Sequence, residues 1–144
     1  PQMYRDMIKS RHKMLFEAQK RTFPEPFYVF LHSDGAIYDI IPDMIEAGVE
    51  VLNPVQLTAK GMDAQKLKSE YGKDLCFWGA GVDTQGVLPN ASPAEVKKNV
   101  TERMKAFAPG GGFIFGAVHN IQDDVPAENI LAMLEAFGEL RDYE

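Results

Sequence analysis

Apolar positions along this chain follow two rhythms. Residues 2–22 carry a helical stripe, with Met3, Tyr4, Met7, Ile8, Met14, Leu15 and Ala18 on one face and charges on the other. The pattern predicts a leading helix whose methionines pack in the core, with His12, between Arg11 and Lys13, in solvent. Pro24 and Pro26 break it. Four short apolar runs follow: FYVFL (27–31), VEVLN (49–53), LCFWGAG (75–81) and FIFGAV (113–118). After each comes a polar tip and then a stretch of helical periodicity.

Local signals sharpen these elements. Ile37, Ile40, Ile41, Met44 and Ile45 mark a helical face; Pro42 either kinks that helix or opens its first turn. Gly48 suits the residue after a helix end, and Asp63 can cap AQKLKSEY, which Gly72 ends. Ser92-Pro93-Ala94-Glu95 is a capping-box pattern with proline at the first helical position, and Val96, Val100, Met104 and Phe107 then recur about once per turn. Pro126 opens the last helix. Strict alternation of near-continuous apolar strands with helices predicts an α/β fold: a parallel sheet covered by helices, in one domain spanning 1–144. The leading helix is 2–22 and the strand–helix units fill 27–141.

Polar groups gather after the strands. In parallel α/β folds ligands bind beyond the carboxyl ends of the strands. The four tips carry His32, Ser33 and Asp34; Asn53 and Gln56; Asp83, Thr84 and Gln85; and His119, Asn120 and Gln122. The opposite strand ends are reached through Gly48, Lys73-Asp74 and Pro109-Gly110-Gly111-Gly112, which is turn chemistry. Turn and capping hydrogen bonds account equally well for Asn53, Gln56, Thr84 and Asn120, and an Asx turn for Asp34 before Gly35. His32 and His119 directly follow apolar strands, where imidazole serves as acid, base or metal ligand. Phosphate-loop, nucleophile-elbow and H-E-x-x-H patterns are missing. Trp78 reads as barrel or sheet packing rather than a stacking platform.

Charge and composition narrow the classes. Across 144 residues the net charge is −6, with no basic run, which argues against nucleic acid or an anionic membrane as partner. No apolar stretch approaches the ~20 residues of a membrane span. The single cysteine, Cys76, sits in an apolar run and reads as a packed side chain. It forms no internal disulfide, which fits a cytoplasmic protein.

The segments IEAGVEVLNPVQ, FWGAGVDTQGVLPNASPAEVKKNV and APGGGFIFGAVHNIQDDVPAENILAMLEAF resemble the C-terminal half of the uroporphyrinogen decarboxylase superfamily. That superfamily includes the decarboxylase of haem synthesis and cobalamin-dependent methyltransferases. The likeness runs from about Tyr28 to Phe137. It implies a (β/α)8 TIM barrel, which takes ~250 residues. Four strand–helix units and a chain starting at Pro1 then suggest the C-terminal half of such a barrel, strands five to eight. A naturally short protein is the alternative. Either way the resemblance implies open sheet edges and an uncovered apolar interior, and hence a homo-oligomer in which halves cover each other.

Matched residue by residue, the resemblance places His32 where methyltransferases of this type have a zinc-binding histidine. Asp34 stands at a zinc-binding cysteine, and His119 near the last one. Imidazole and carboxylate both bind zinc, so His32, Asp34 and His119 are the expected catalytic and zinc-ligating set. Asn53, Gln56, Asp83, Gln85 and Gln122 are expected to line a small-molecule substrate pocket. The reaction implied is corrinoid-dependent methyl transfer, with the corrinoid on a partner protein. A cofactor-free tetrapyrrole decarboxylase is the second reading; there His119 resembles a histidine of the tetrapyrrole site, and Ser33-Asp34-Gly35 a K-D-G tip. Arg5, Arg11, Arg21, Arg103 and Arg141 all lie on apparent helices, leaving no clamp for a polycarboxylate. The third reading is a non-catalytic half barrel or assembly module.

Overall fold

The computed structural model describes residues 1–142. A single turn of π-helix (Tyr4–Ile8) runs into α1 (Lys9–Thr22). Four units follow: β1 (Phe30–His32) with α2 (Ile41–Ala47), and β2 (Val51–Asn53) with α3 (Ala64–Tyr71). Then come β3 (Cys76–Trp78), a short α4 (Val87–Asn90) and α5 (Pro93–Phe107), and last β4 (Phe113–Ile114) with α6 (Ala127–Leu140). The strands lie in the order β1-β2-β3-β4, every neighbouring pair parallel. The fold is thus α/β and resembles part of a (β/α)8 barrel.

The expected helix signals act where the sequence places them. Pro42 sits in the first turn of α2, and Gly48 closes that helix with a φ of 109°. The Asp63 carboxylate accepts from the Lys66 amide at the start of α3. Ser92 and Glu95 form both bonds of the capping box. The four-residue α4 within the third tip has no counterpart in the apolar periodicity, since Val87-Leu88-Pro89-Asn90 is too short to show one.

The sheet has one dry face and one bare face. Residues paired in register point the same way, so Leu31, Leu52, Phe77 and Phe113 form one row toward the helices. There Leu52 and Phe77 are fully buried, and Phe77 lies 5.1 Å ring to ring from Phe107 of α5. Val96, Val100 and Met104 of α5 join them with Ala132, Met133 and Ala136 of α6. Alternation turns Phe30, His32, Asn53, Trp78 and Ile114 to the other face. Phe30 stays 46% exposed, Trp78 40% and Ile114 39%. The Trp78 ring meets Phe30 edge-on at 5.3 Å on this bare face, a contact between side chains of the sheet.

The leading helix differs from expectation. Met3, Met7, Met14 and Leu15 are all more than half exposed, and Phe16 is the buried residue of α1. His12 is half-buried, its ring against Phe16 and its Nδ1 3.2 Å from the Tyr4 hydroxyl. Charge docks this helix. Asp43 of α2 is buried and accepts from Arg5 Nε at 2.7 Å and Lys9 Nζ at 2.8 Å. Lys20 reaches Glu50 at 2.7 Å and the Phe27 carbonyl at 2.7 Å. Helical spacing alone could not tell a stripe that meets the core from one that misses it.

Lys9 first, and Arg5 second, hold the Asp43 carboxyl below its ordinary value of 3.8. A depressed native value stabilises the fold above the ordinary value, and that stability fades as pH falls through the native one. Asp43→Asn is accordingly expected to lower the melting temperature at neutral pH, with the deficit shrinking on acidification below the ordinary carboxylate value. Melting curves of both proteins across acid pH read this; a deficit that does not change with pH would remove the ion pairs as its source.

Candidate functional site

Three side chains from the first and last tips meet at the carboxyl ends of the strands. Asp34 Oδ2 lies 3.3 Å from His32 Nε2, and Asp34 Oδ1 lies 3.6 Å from His119 Nδ1. One carboxylate thus stands between two imidazoles, one oxygen toward each. Asp34 and His119 are 85 positions apart in the sequence; the parallel topology brings them together. His32 ends β1 itself. His119 is placed by pairing beyond β4, where Ala117 bridges Val82 and the Val118 amide donates to the Val82 carbonyl at 3.2 Å.

The second tip supports the first. Asn53 pairs with His32 in the β1–β2 register, and its Oδ1 lies 2.8 Å from His32 Nδ1. The Asn53 amide nitrogen donates to the Trp78 carbonyl at 3.2 Å. Gln56 Oε1 accepts from the Gly35 amide at 2.9 Å, which anchors the turn that carries Asp34. Asn53 and Gln56, read as pocket-lining from the sequence, thus act on the histidine and the aspartate turn.

The remaining expected pocket residues are engaged locally. Asp83 Oδ1 accepts from the Gln85 amide at 3.0 Å, an Asx turn, and the Asp83 carbonyl accepts from Leu88 at 2.9 Å as α4 begins. Gln122 donates to the Asn120 carbonyl at 3.2 Å within its own loop. The structure does not join Asp83, Gln85 or Gln122 to the histidines by any hydrogen bond or ion pair among the described residues. Thr84 is buried in this tip and its hydroxyl has no partner among the described residues. Behind it, buried Asn129 of α6 donates to the Leu88 and Ala91 carbonyls at 2.8 and 2.9 Å and ties down α4.

Two further features bear on chemistry. Among the described residues, no three His, Cys, Asp or Glu side chains are arranged to hold a metal ion. As placed, His32, Asp34 and His119 form a carboxylate bridging two imidazoles, not a ligand cage. A cavity of about 640 Å3 lies elsewhere, between the loop before α3 and α5. Leu57, Met62, Asp63, Glu102 and Arg103 line it, and burial lowers the Arg103 guanidinium from its ordinary value. The histidine cluster joins proton-handling groups from the first and last strand tips. Cys76 is half-buried, and burial raises its thiol above the ordinary value, which suits a packed side chain rather than a nucleophile.

Among the described residues, no hydrogen bond or ion pair joins an arginine to His32, Asp34 or His119. Arg5 is tied to Asp43, Arg11 to the Met7 carbonyl and Arg21 to Glu17. Arg103 lines the separate cavity and Arg141 lies beside Asp142. No described helix is long and apolar enough to cross a membrane.

Comparison with known proteins places these features in context. The sequence profile described as uroporphyrinogen decarboxylase matches residues 1–140. Among solved structures, a methyltransferase from Methanosarcina mazei superposes with a TM-score of 0.74 at 22% identity. The match takes in 98% of this chain and 38% of that one, so the chain spans well under half the length of that methyltransferase. At that identity the likeness shows the fold. No curated protein sequence matches the chain.

Proposed function

Because the chain belongs to the uroporphyrinogen decarboxylase family, we propose that it supplies the C-terminal-half site of a methyltransferase-type barrel enzyme, with His32, Asp34 and His119 as its acid–base centre. The observation that carries this is the Asp34 carboxylate standing between the two imidazoles at the strand ends. In this reading a thiol or hydroxyl acceptor loses its proton to His32 Nε2 as its sulfur or oxygen takes the methyl group. The imidazolium that forms then faces the Asp34 carboxylate, which stabilises it. A corrinoid on a partner protein would be the methyl carrier of this reading; it would release the methyl group from cobalt, which would keep the bonding electron pair.

The arrangement of cations favours methyl transfer over tetrapyrrole decarboxylation. Several carboxylates on one substrate call for arginine forks, and among the described residues every arginine is tied or placed elsewhere. The bare sheet face, with Phe30, Trp78 and Ile114 open, supports an assembly in which a second half barrel covers the site. A homo-oligomer joined through the sheet edges is that assembly in this reading; zinc on the same three side chains also belongs to the family expectation.

One set of assays separates the readings. The purified chain, its mass followed by light scattering, is incubated with methylcobalamin and 2-mercaptoethanol, and in parallel with uroporphyrinogen. Demethylation of the cobalt centre that disappears in His119→Ala, without carbon dioxide release, is the expected result. Carbon dioxide release without demethylation would replace this reading by the decarboxylase one, and neither activity by a monomer or an oligomer would leave an assembly module. Metal analysis of chelator-free protein, compared with His32→Ala, tests the zinc expectation.

A further inference from the structure

The hydrogen bonds around Asn53 fix which nitrogen of His32 is free. An asparagine side chain has one accepting end and one donating end. The Asn53 Nδ2 faces the Trp78 carbonyl at 3.2 Å, and a carbonyl can only accept. The other end, Oδ1, therefore faces His32 Nδ1 at 2.8 Å. An amide oxygen can only accept, so Nδ1 must carry the hydrogen. Neutral imidazole holds one proton, so with Nδ1–H committed the lone pair sits on Nε2; the Asp34 carboxylate, 3.3 Å away, only accepts and becomes a hydrogen-bond partner of Nε2 once that nitrogen has taken a proton.

We propose that Asn53 is the positioning residue of this centre: it holds His32 in the Nδ1–H tautomer, so that Nε2 is the nitrogen that takes and returns the substrate proton. The backbone supports this orientation. Gly79 has a φ of 83°, and a Cβ built there would stand 3.0 Å from Asn53 Nδ2 and 3.2 Å from the Ala117 carbonyl. Glycine at 79 both adopts the left-handed conformation and leaves room for the amide. The β1–β2 register sets Asn53 level with His32, so the bond follows from strand pairing and not from a flexible loop. In the opposite tautomer the basic nitrogen would face Asn53, away from Asp34, and a proton taken there would lie beside an amide instead of a carboxylate.

The inference rests on His32 being the working base of the proposed centre, but its test reads the tautomer without any substrate. Long-range proton–nitrogen correlation spectra of 15N-labelled protein separate the two tautomers of a neutral imidazole. They are recorded at about pH 9, more than two units above the ordinary imidazole value. The chain has three histidines, so His12→Gln and His119→Gln assign the signals. Wild type is expected to show His32 mainly as Nδ1–H. Asn53→Ala should exchange the protonated and lone-pair nitrogen signals, while Asn53→Asp, which keeps an acceptor, should retain the wild-type pattern. The His12 and His119 signals report whether each variant stays folded. A wild-type spectrum dominated by Nε2–H overturns the proposal by itself, as does an Asn53→Ala spectrum that keeps Nδ1–H. Loss of methyl transfer with the tautomer intact would instead count against the functional reading alone.

Discussion

Phe77→Ala is expected to cost about 3–5 kcal/mol of stability, the usual range for removing a fully buried phenylalanine ring. Phe77 lies on β3, inside the sheet, and is 0% exposed. Its ring touches Phe107 of α5 at 5.1 Å between centroids, and Phe107 in turn stacks on Phe113 of β4 at 5.4 Å. Removing the Phe77 ring leaves a hole beside Phe107 that the surrounding backbone cannot fill. Domains of this size are stable by only about 5–15 kcal/mol, so the variant should unfold at much lower denaturant, or fail to accumulate folded. Phe77→Leu, which keeps most of the volume, is expected to lose less than half as much. Denaturant titration followed by circular dichroism reads both, and a Phe77→Ala midpoint within error of wild type would mean that β3 does not organise the core.

Asp34→Asn is expected to lower methyl transfer by about a hundredfold or more, the usual scale for losing a group that supports general acid–base catalysis. Asp34 is half exposed and sits on a turn; among the described residues it lies against the two imidazoles, and the neighbouring Gly35 amide donates to Gln56. The substitution keeps the shape and removes the charge. Its melting temperature should therefore stay close to wild type while the rate falls, and the loss should appear in kcat rather than KM, because in the proposed reaction the carboxylate acts on the imidazolium formed during transfer. Methylcobalamin demethylation by wild type and variant, at saturating thiol, measures it. Equal rates would detach Asp34 from the chemistry and leave it as a turn residue.

Much of the fold was legible along the chain because its determinants are local. The proline and glycine positions, the Asp63 cap and the Ser92–Glu95 box bound their helices by short-range hydrogen bonds and sterics, which a sequence carries in full. Four apolar runs with helices between them admit few arrangements other than a parallel sheet, and the observed order β1-β2-β3-β4 is the simplest of these. The strand-end rule also singled out His32, Asp34 and His119, which the structure places within ion-pair distance. Asp83 and Gln122, from the same strand ends, bond within their own tips, and a polar tip residue looks alike in the sequence whichever role it takes.

What the chain could not state by itself was how separated stretches meet. Helical spacing put Met3, Met7 and Met14 on one face, yet which face of α1 lands on α2 was decided by Asp43, whose buried carboxylate draws Arg5 and Lys9. Likewise Asn53 became a partner of His32 only through the β1–β2 register, since a shift of one residue would have turned its side chain to the helical face. Periodicity and capping are written over a few neighbouring positions. Docking and register depend on contacts between distant ones, and those exist only once the sheet has formed.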